Sequence, residues 1–176
     1  DTVTGLGTLA VSGTTTINTA TVTPAGPHTH TGAVTLGADT TLTTTDSTVL
    51  FSSTVDSTGG ARDLTVSAGT GAITFTGAVG GTAALDALAL NSTGTTTLTA
   101  AVTAGSLATN AGGTTAINGG AVTTTGAQTY NDNVTLGANT ALSATTTTFN
   151  GTVAGGGFNL GLTGIVVIGA ATTETV

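Results

Sequence analysis

The segment GAQTYNDNVTLGANTAL, at residues 126–142, is a second version of GPHTHTGAVTLGADTTL, at residues 26–42. The two copies share the string VTLGA and a leucine at the last position. The match extends upstream, where TTTIN at residues 14–18 returns as TTAIN at residues 114–118. An internal repeat of this kind is typical of proteins in which similar units stack on one another. We therefore interpret the whole chain as an array.

A shorter period lies between the two copies. An apolar residue is followed four positions later by valine, and a second apolar pair follows after a turn rich in Gly, Ser or Thr. The template occurs at Phe51 and Val55, Phe75 and Val79, Leu98 and Val102, and Phe149 and Val153, with Ile117 and Val122 as a variant. The same alignment matches Phe51 with Phe149, Val55 with Val153 and Leu64 with Leu160. The mean unit is roughly 20 residues, the size of one coil of a parallel β-solenoid.

The composition supports an all-β fold. The chain has 49 Thr and 28 Gly in 176 residues. Threonine and valine favour strands, whereas Gly and Asn favour turns. No segment has the apolar spacing of a helix over a useful length. We predict a parallel β-solenoid of roughly nine coils, about 40 Å long at the usual strand separation. The alternative is a set of β-sandwich repeats, for which short strands and frequent turns are also typical.

The repeat also predicts how the chain is organised. We expect one continuous solenoid, with residues 1–25 as the tail of a preceding repeat, residues 26–125 as a full repeat and residues 126–176 as a partial second one. The sequence starts at Asp1 and contains no Met, so we expect a piece of a longer protein. Residues 3–6 and 165–168 look like apolar strands rather than caps. Each end is therefore expected to continue into further repeats or to stack end to end on another copy.

The charge excludes several classes of partner. The net charge is −7, Arg62 is the only basic residue besides the two His, and there is no Lys. Nucleic acids and anionic membrane surfaces bind clusters of Lys and Arg, so neither is expected as a partner. No apolar run approaches the roughly 20 residues of a membrane-spanning helix, and we expect no membrane insertion. Without Cys, the chain has neither disulfides nor thiolate metal ligands.

The two histidines are the first residues to test as a metal site. His28 and His30 are two positions apart, so their side chains point the same way if the segment is a strand. A zinc site needs three or four ligands, and the nearest carboxylate in sequence is Asp39. We therefore expect two exposed histidines at a corner bounded by Pro24 and Pro27, and we predict no metal-binding residue.

The acids are scattered rather than paired. Asp39, Asp46, Asp56, Asp63, Asp86 and Asp132 lie mostly beside Gly, Ser, Thr or Asn, and the calcium-binding nonapeptide pattern is absent. We expect turn-forming side chains that bond their own backbone, and a solvated corner pair between Arg62 and Asp63. A solenoid lyase or hydrolase needs two carboxylates in one groove. We therefore predict no enzyme activity, no catalytic residue and no cofactor.

The threonine runs have the clearest physical role. They occur at residues 43–45, 95–97, 123–125 and 145–148. Threonine stacked on threonine offers a methyl group to its neighbour and a hydroxyl to water. We expect such ladders to cover the outside of the solenoid with little charge. A similar surface could bind carbohydrate, but Tyr130 is the only Tyr and there is no Trp to stack on a sugar.

The repeats resemble those of a known family. The strings at residues 122–142, 148–164 and 73–90 are similar to the degenerate repeats of filamentous-haemagglutinin-like adhesins and related β-strand-repeat exoproteins of Gram-negative bacteria. The resemblance implies a secreted, right-handed parallel β-helix fibre at the cell surface. The family's N-terminal secretion domain is not part of this sequence. His28 and His30 also depart from the Gln128 and Tyr130 of the second copy.

These observations lead to one preferred function. We expect a structural repeat segment of an extracellular bacterial fibre or adhesin-like surface protein, which acts as a stacked rod or filament building block. The expected location is extracellular or on the cell surface. The first alternative is a carbohydrate-binding solenoid module, with a surface carbohydrate as its partner. The second is a pilin-like β-sandwich that polymerises by strand exchange.

Overall fold

The chain folds into a triangular coil of short parallel strands. The computed structural model describes residues 2–169 and the backbone of residues 174 and 175. Within that part of the chain every regular element is a strand, and the strands form three stacks. We call these stacks face 1, face 2 and face 3, in the order in which the first coil visits them.

The strands divide among the faces as follows. Face 1 contains β1 (Thr2–Thr4), β4 (Thr21–Thr23), β7 (Thr40–Thr43), β10 (Leu64–Gly69) and β17 (Gln128–Tyr130). Face 2 contains β2 (Leu9–Val11), β5 (His28–His30), β8 (Val49–Phe51), β11 (Ile73–Phe75), β13 (Thr95–Leu98), β15 (Thr114–Ile117), β18 (Asn133–Leu136), β20 (Val153–Ala154) and β22 (Glu174–Thr175). Face 3 contains β3 (Thr15–Ile17), β6 (Val34–Leu36), β9 (Val55–Ser57) and β16 (Ala121–Thr124). Four longer strands begin on face 3 and continue around the corner onto face 1: β12 (Leu85–Ser92), β14 (Val102–Thr109), β19 (Thr140–Phe149) and β21 (Leu160–Ile168).

The strand register defines the coil length. Pairing on face 1 carries the inward column through Val3, Val22, Leu42, Val66, Leu90, Thr109, Tyr130, Phe149 and Ile168. Successive members of this column are 19 to 24 residues apart. Its nine levels span about 40 Å at the usual strand separation. The predicted solenoid with coils of about 20 residues is therefore confirmed.

All pairings support the same architecture. Each strand pair in the described part of the chain is parallel, whereas a β-sandwich is built from antiparallel sheets. The β-sandwich alternative is wrong, and the pilin-like function that depended on it is not proposed further.

The core consists of side chains stacked in columns. Strands alternate between buried and more exposed positions, as expected when one side of each strand faces the interior. On face 2 the inward column runs through Val11, His30, Phe51, Phe75, Leu98, Ile117 and Leu136. The rings of Phe51 and Phe75 stack with their centroids 4.8 Å apart. One continuous core cluster runs from Ile17 to Phe149.

The short sequence template matches the fold in four of its five occurrences. Phe51, Phe75, Leu98 and Ile117 occupy the face 2 column just described. Their partners Val55, Val79, Val102 and Val122 form one column on face 3. The fifth occurrence is wrong, because Phe149 pairs with Tyr130 on face 1 and Val153 pairs with Val134 on face 2. Phe149 and Val153 are therefore not structural equivalents of Phe51 and Val55.

The two copies of the long repeat, residues 26–42 and 126–142, lie on different faces. The second copy is displaced around the coil by one face. In the first copy, β5 lies on face 2, β6 on face 3 and β7 on face 1. In the second copy, β17 lies on face 1, β18 on face 2 and the start of β19 on face 3. The distance between the copies is therefore not a whole number of coils. The repeat boundaries predicted at residues 25 and 125 stay a prediction.

The two copies do share one corner, including its contacts with the preceding coil. Ile17 pairs with Leu36, and Ile117 pairs with Leu136, so the register is the same in both. The Asn18 side-chain oxygen lies where a Cβ on Gly37 would be, and Asn118 stands in the same relation to Gly137. A side chain at either glycine would displace the asparagine, so this contact couples residues 14–18 to residues 26–42 and their counterparts in the second copy to each other.

The threonine runs face both ways. Outward ladders exist as predicted, since Thr21, Thr41 and Thr65 pair in successive coils on face 1. The middle of each run is nevertheless buried, at Thr44, Thr96, Thr124 and Thr147. A strand alternates sides at every residue, so a run of three cannot lie wholly outside. The runs therefore contribute to the core as well as to the outer surface, which was not predicted from the sequence.

Replacing Phe75 by alanine should be strongly destabilising. Phe75 is 1% exposed and stacks on Phe51. We expect Phe75→Ala to lower the free energy of unfolding by about 3–5 kcal/mol, because it removes buried apolar surface and leaves a cavity. The matched control is Thr74→Ala, whose side chain points outward in the same strand; its cost should stay below about 1 kcal/mol. Urea unfolding followed by circular dichroism measures both, and equal losses would contradict the assignment of Phe75 to the core.

Candidate functional site

The two histidines lie inside the solenoid. His28 and His30 occupy the two inward positions of β5, with Leu9 and Val11 in the coil before and Val49 and Phe51 in the coil after. Their relative exposures are 0% and 2%. The prediction that they point the same way is confirmed, but the prediction of an exposed corner is wrong. The alternation of β5 places positions 28 and 30 on one side, but that this side faces the interior follows from their partners in the neighbouring coils.

The histidines bond each other and little else. Their Nε2 atoms are 2.8 Å apart, so one ring donates an N–H and the other accepts it. Both Nδ1 atoms are buried without a partner. The His30 ring stacks on Phe51, with centroids 5.5 Å apart and planes 3° from parallel. Burial, helped by repulsion from His30, lowers the pKa of His28 to about 4. Burial also lowers the pKa of His30, so both rings are neutral at pH 7.

A cavity adjoins this pair. Its volume is about 160 Å³, and both histidines line it together with residues of the first two coils, among them Val3, Leu9, Val11, Ile17 and Val22. The histidines therefore lie between this cavity and the stacked aromatic core that begins at Phe51.

The second copy fills the same two positions with a satisfied polar pair. The Tyr130 hydroxyl donates to Gln128 Oε1 at 3.1 Å. Gln128 Nε2 donates to the carbonyl oxygens of Val122 and Ser143, both at 3.0 Å. Burial raises the pKa of Tyr130. The Tyr130 ring stacks on Phe149, as His30 stacks on Phe51. The two copies thus share the packing of this strand, but only the first leaves buried nitrogen atoms unpaired.

Two imidazoles do not make a metal centre by themselves. In the part of the chain that the structure describes, no group of three or more His, Cys, Asp or Glu side chains could hold an ion. A structural zinc ion takes four ligands and a catalytic one at least three from the protein. The absence of a metal site and of a cofactor stays a prediction.

The aspartates tie one coil to the next. Oδ1 of Asp39 accepts the N–H of Asp63, that of Asp46 accepts the N–H of Thr70, and that of Asp63 accepts the N–H of Ala87. Asp56 Oδ1 accepts two N–H groups, from Thr82 at 2.8 Å and Ala83 at 3.1 Å. The prediction that such residues bond their own turn is wrong, because each acceptor reaches a backbone 24 or more residues away.

Asparagines do the same work in the second half of the chain. Asn133 Oδ1 accepts the N–H of Thr152, and Asn139 Oδ1 accepts the N–H of Asn159. Asn139 is the counterpart of Asp39 in the repeated segment. A shared oxygen acceptor, rather than a shared charge, is therefore what this corner needs.

Asp132 is the one buried acid among the described residues. It is 1% exposed, its Oδ1 accepts the N–H of Gly113 at 3.0 Å, and its Oδ2 accepts the hydroxyl of Thr115 at 3.1 Å. Burial raises the pKa of Asp132, and the hydrogen bonds act against that rise. In sequence, Asp132 looked like another corner acid. Its burial depends on Gly113 and Thr115 in the coil before, which no local pattern reveals.

Two further expectations concern surface chemistry. Arg62 does not pair with Asp63: its side chain donates to the carbonyl oxygens of Thr58 and Gly59, both at 3.4 Å. Tyr130, the candidate sugar-stacking residue, is fully buried. Among the described residues, Phe158 is the exposed aromatic, at 43%. The structure therefore offers no support for a carbohydrate site at Tyr130.

These features define the class of protein: a single parallel β-solenoid whose polar side chains mostly bond neighbouring coils. Comparisons of the chain with protein-family models, with curated proteins and with solved structures found no match. Within the described residues, no helix is long and apolar enough to span a membrane.

Removing the Asp56 carboxylate should weaken the contact between two neighbouring coils and lower the free energy of unfolding. Asp56→Ala leaves the N–H groups of Thr82 and Ala83 without their acceptor, and we expect a loss of about 1 kcal/mol. Asp56→Asn keeps an oxygen acceptor and should restore most of it.

The matched control is Asp86→Ala, which changes the net charge equally. The Asp86 side chain is exposed, and its replacement should alter stability by less than about 0.5 kcal/mol. Urea unfolding of the three variants measures the difference. Similar losses for Asp56→Ala and Asp86→Ala would show that net charge, and not the hydrogen bonds, sets the effect.

Proposed function

We propose that the chain is a structural repeat segment of an extracellular bacterial fibre or adhesin-like surface protein. In this role the solenoid is a rod or filament building block. The observation that carries the proposal is the use of the polar side chains. Asp39, Asp46, Asp56 and Asp63 each bond a backbone group of the next coil. The groups that a catalytic site would use therefore serve to hold the rod together.

The interior supports a mechanical role. Large side chains such as Phe51, Phe75 and Phe149 are almost completely buried, and they belong to one cluster that runs along the rod. In a stacked array each coil contacts only its neighbours, so length can be added without changing the design. A solenoid of this kind spans distance with little charge, consistent with 5% charged residues.

The two ends of the described solenoid support end-to-end contacts. Val166 and Ile168 occupy inward columns of the last described level, yet they are 40% and 55% exposed. Val3 occupies an inward column of the first level and is 37% exposed. Parallel strand edges with apolar side chains recruit further strands. The proposed partners are therefore further repeats of the same chain or a second copy stacked on the end.

The extracellular and bacterial parts of the proposal rest on the sequence. The strings at residues 122–142 and 148–164 resemble repeats of filamentous-haemagglutinin-like exoproteins. The solenoid fold is compatible with that resemblance, and the absence of Cys suits a polymer that relies on backbone pairing.

End-to-end stacking can be tested on the purified chain. We expect filaments that form with increasing concentration and show an axial repeat of about 4.8 Å by electron cryo-microscopy. Ile168→Lys should suppress them, because it places a charge in an apolar end column. Thr129→Lys, on the side of the rod, should not. A chain that stays a sharp monomer at high concentration would contradict self-stacking.

The location requires a separate experiment. Antibodies against the purified solenoid should label intact cells of the source organism, with immunogold particles along surface fibres. Labelling that appears only after the cells are permeabilised would contradict the extracellular role. Because this result does not depend on the oligomeric state of the purified chain, it separates the location from the stacking.

A further inference from the structure

We propose that His28 and His30 form an acid-sensitive latch, whose protonation weakens the pairing between residues 2–20 and the next coil. The inference goes beyond the proposed function and does not depend on it. It rests on three observations: the position of the histidine pair between two coils, the chemistry of that pair, and its uncharged surroundings.

The histidines lie at the junction between the first two described coils. Among residues 2–20 only Ile17 is buried, and all three residues of β1 are exposed. In β5 of the next coil, by contrast, both inward residues are buried. The contacts that join the two coils are three parallel strand pairs, β1 with β4, β2 with β5 and β3 with β6, and the apolar side chains that cover the histidines, such as Leu9 and Val11. Leu9 and Val11 pair with His28 and His30, so any movement of the two rings acts directly on the pairing of β2 with β5.

The histidine pair accepts protons in two steps with different consequences. In the neutral pair one Nε2–H donates to the other Nε2, and the donor ring keeps a lone pair on Nδ1. A first proton binds that Nδ1, and the Nε2–H···Nε2 bond survives in charge-assisted form. A second proton must bind the accepting Nε2. Two N–H groups then face each other at a separation of 2.8 Å, and the rings must move apart.

Nothing around the pair compensates the charge. The side chains that face it are Val3 from β1, Leu9 and Val11 from β2, Ile17 from β3, Val22 from β4, and Val49 and Phe51 from β8, and the adjoining cavity is also lined by Thr15, Thr16, Asn18 and Thr19. None of these is charged or titratable, and both Nδ1 atoms lack a hydrogen-bond partner. No charged side chain is available to stabilise an imidazolium here, so it needs water. The shortest route for water is the cavity under the first coil, because the opposite side is closed by the stack of Phe51 on Phe75.

The direction and size of the effect follow from linkage. The pKa of His28 is about 4 in the closed state and 6.5 when the ring is solvated. The closed state therefore keeps its full stability above pH 6.5 and loses it progressively as the pH falls toward 4. Between pH 7 and pH 5, His28 alone increases the opening equilibrium roughly 20-fold. The lowered pKa of His30 adds to this in the same direction.

Amide hydrogen exchange, measured residue by residue by NMR, tests the latch. The N–H groups of Gly26, Thr31 and Gly37 donate to Gly7, Val11 and Ile17 of the first coil. They should lose protection roughly 20-fold or more between pH 7 and pH 5, after correction for the intrinsic exchange rate.

The repeated segment supplies internal controls. Gly126 and Gly137 are the counterparts of Gly26 and Gly37, and they donate to Gly105 and Ile117 in the same manner. Their protection should change less than about three-fold, because no histidine lies beneath them and most surface effects are small. Equal loss at both sets of amides, or no loss at either, would overturn the proposal.

The natural replacement for the pair is present in the second copy. His28→Gln combined with His30→Tyr introduces the residues found at 128 and 130, and it should abolish the pH response at Gly26, Thr31 and Gly37. A full pH response in this variant would overturn the proposal. Should the variant not fold, the imidazole carbon signals of the unmodified protein decide. Displacement of both titrations below that of a solvated histidine supports the latch, whereas ordinary titration refutes it.

Discussion

Everything in this molecule depends on the backbone hydrogen bonds that each strand makes to the coil before it and the coil after it. Parallel pairing requires that each turn of the chain return in register, and the coils achieve this with 19 to 24 residues. The register stacks Phe51 on Phe75 and aligns Val55, Val79 and Val102. The core is thus a consequence of the pairing, since no coil could bury these side chains alone.

The corner side chains extend the same principle beyond the strands. Where the chain turns, ladder pairing lapses and N–H groups need other acceptors. Asp46, Asp56 and Asn133 supply them from the neighbouring coil. Because a carboxylate and an amide serve equally well, Asp39 can become Asn139 without changing the corner. Because asparagine can take the role of aspartate, the corners do not require charged side chains, in agreement with a content of only 5% charged residues.

The sequence predicted the solenoid because its apolar residues recur at the length of a coil. The template that includes Phe51 and Phe75 works for that reason. It fails at Phe149, since the coils differ in length and the phase shifts by one face between the copies. The burial of polar residues was harder to predict from the sequence. Thr96 and His28 look like surface residues in the sequence, and their buried positions follow from partners in other coils. Of the candidate site, the alignment of His28 with His30 was predictable, whereas their mutual hydrogen bond and the adjacent cavity were not.

The second copy of the repeat is displaced by one face, and this determines on which sides of the rod its outer residues lie. Thr29 faces outward from face 2, and its counterpart Thr129 faces outward from face 1. Two nearly identical outer segments are therefore distributed around the axis rather than aligned along it. A bivalent partner that recognised this segment would have to reach around the rod to engage both copies, and avidity would depend on its geometry. Conversely, a binding surface could approach the rod from either of two sides and would meet one copy of the segment. Recognition of the segment would therefore depend less on how the rod is rotated about its axis.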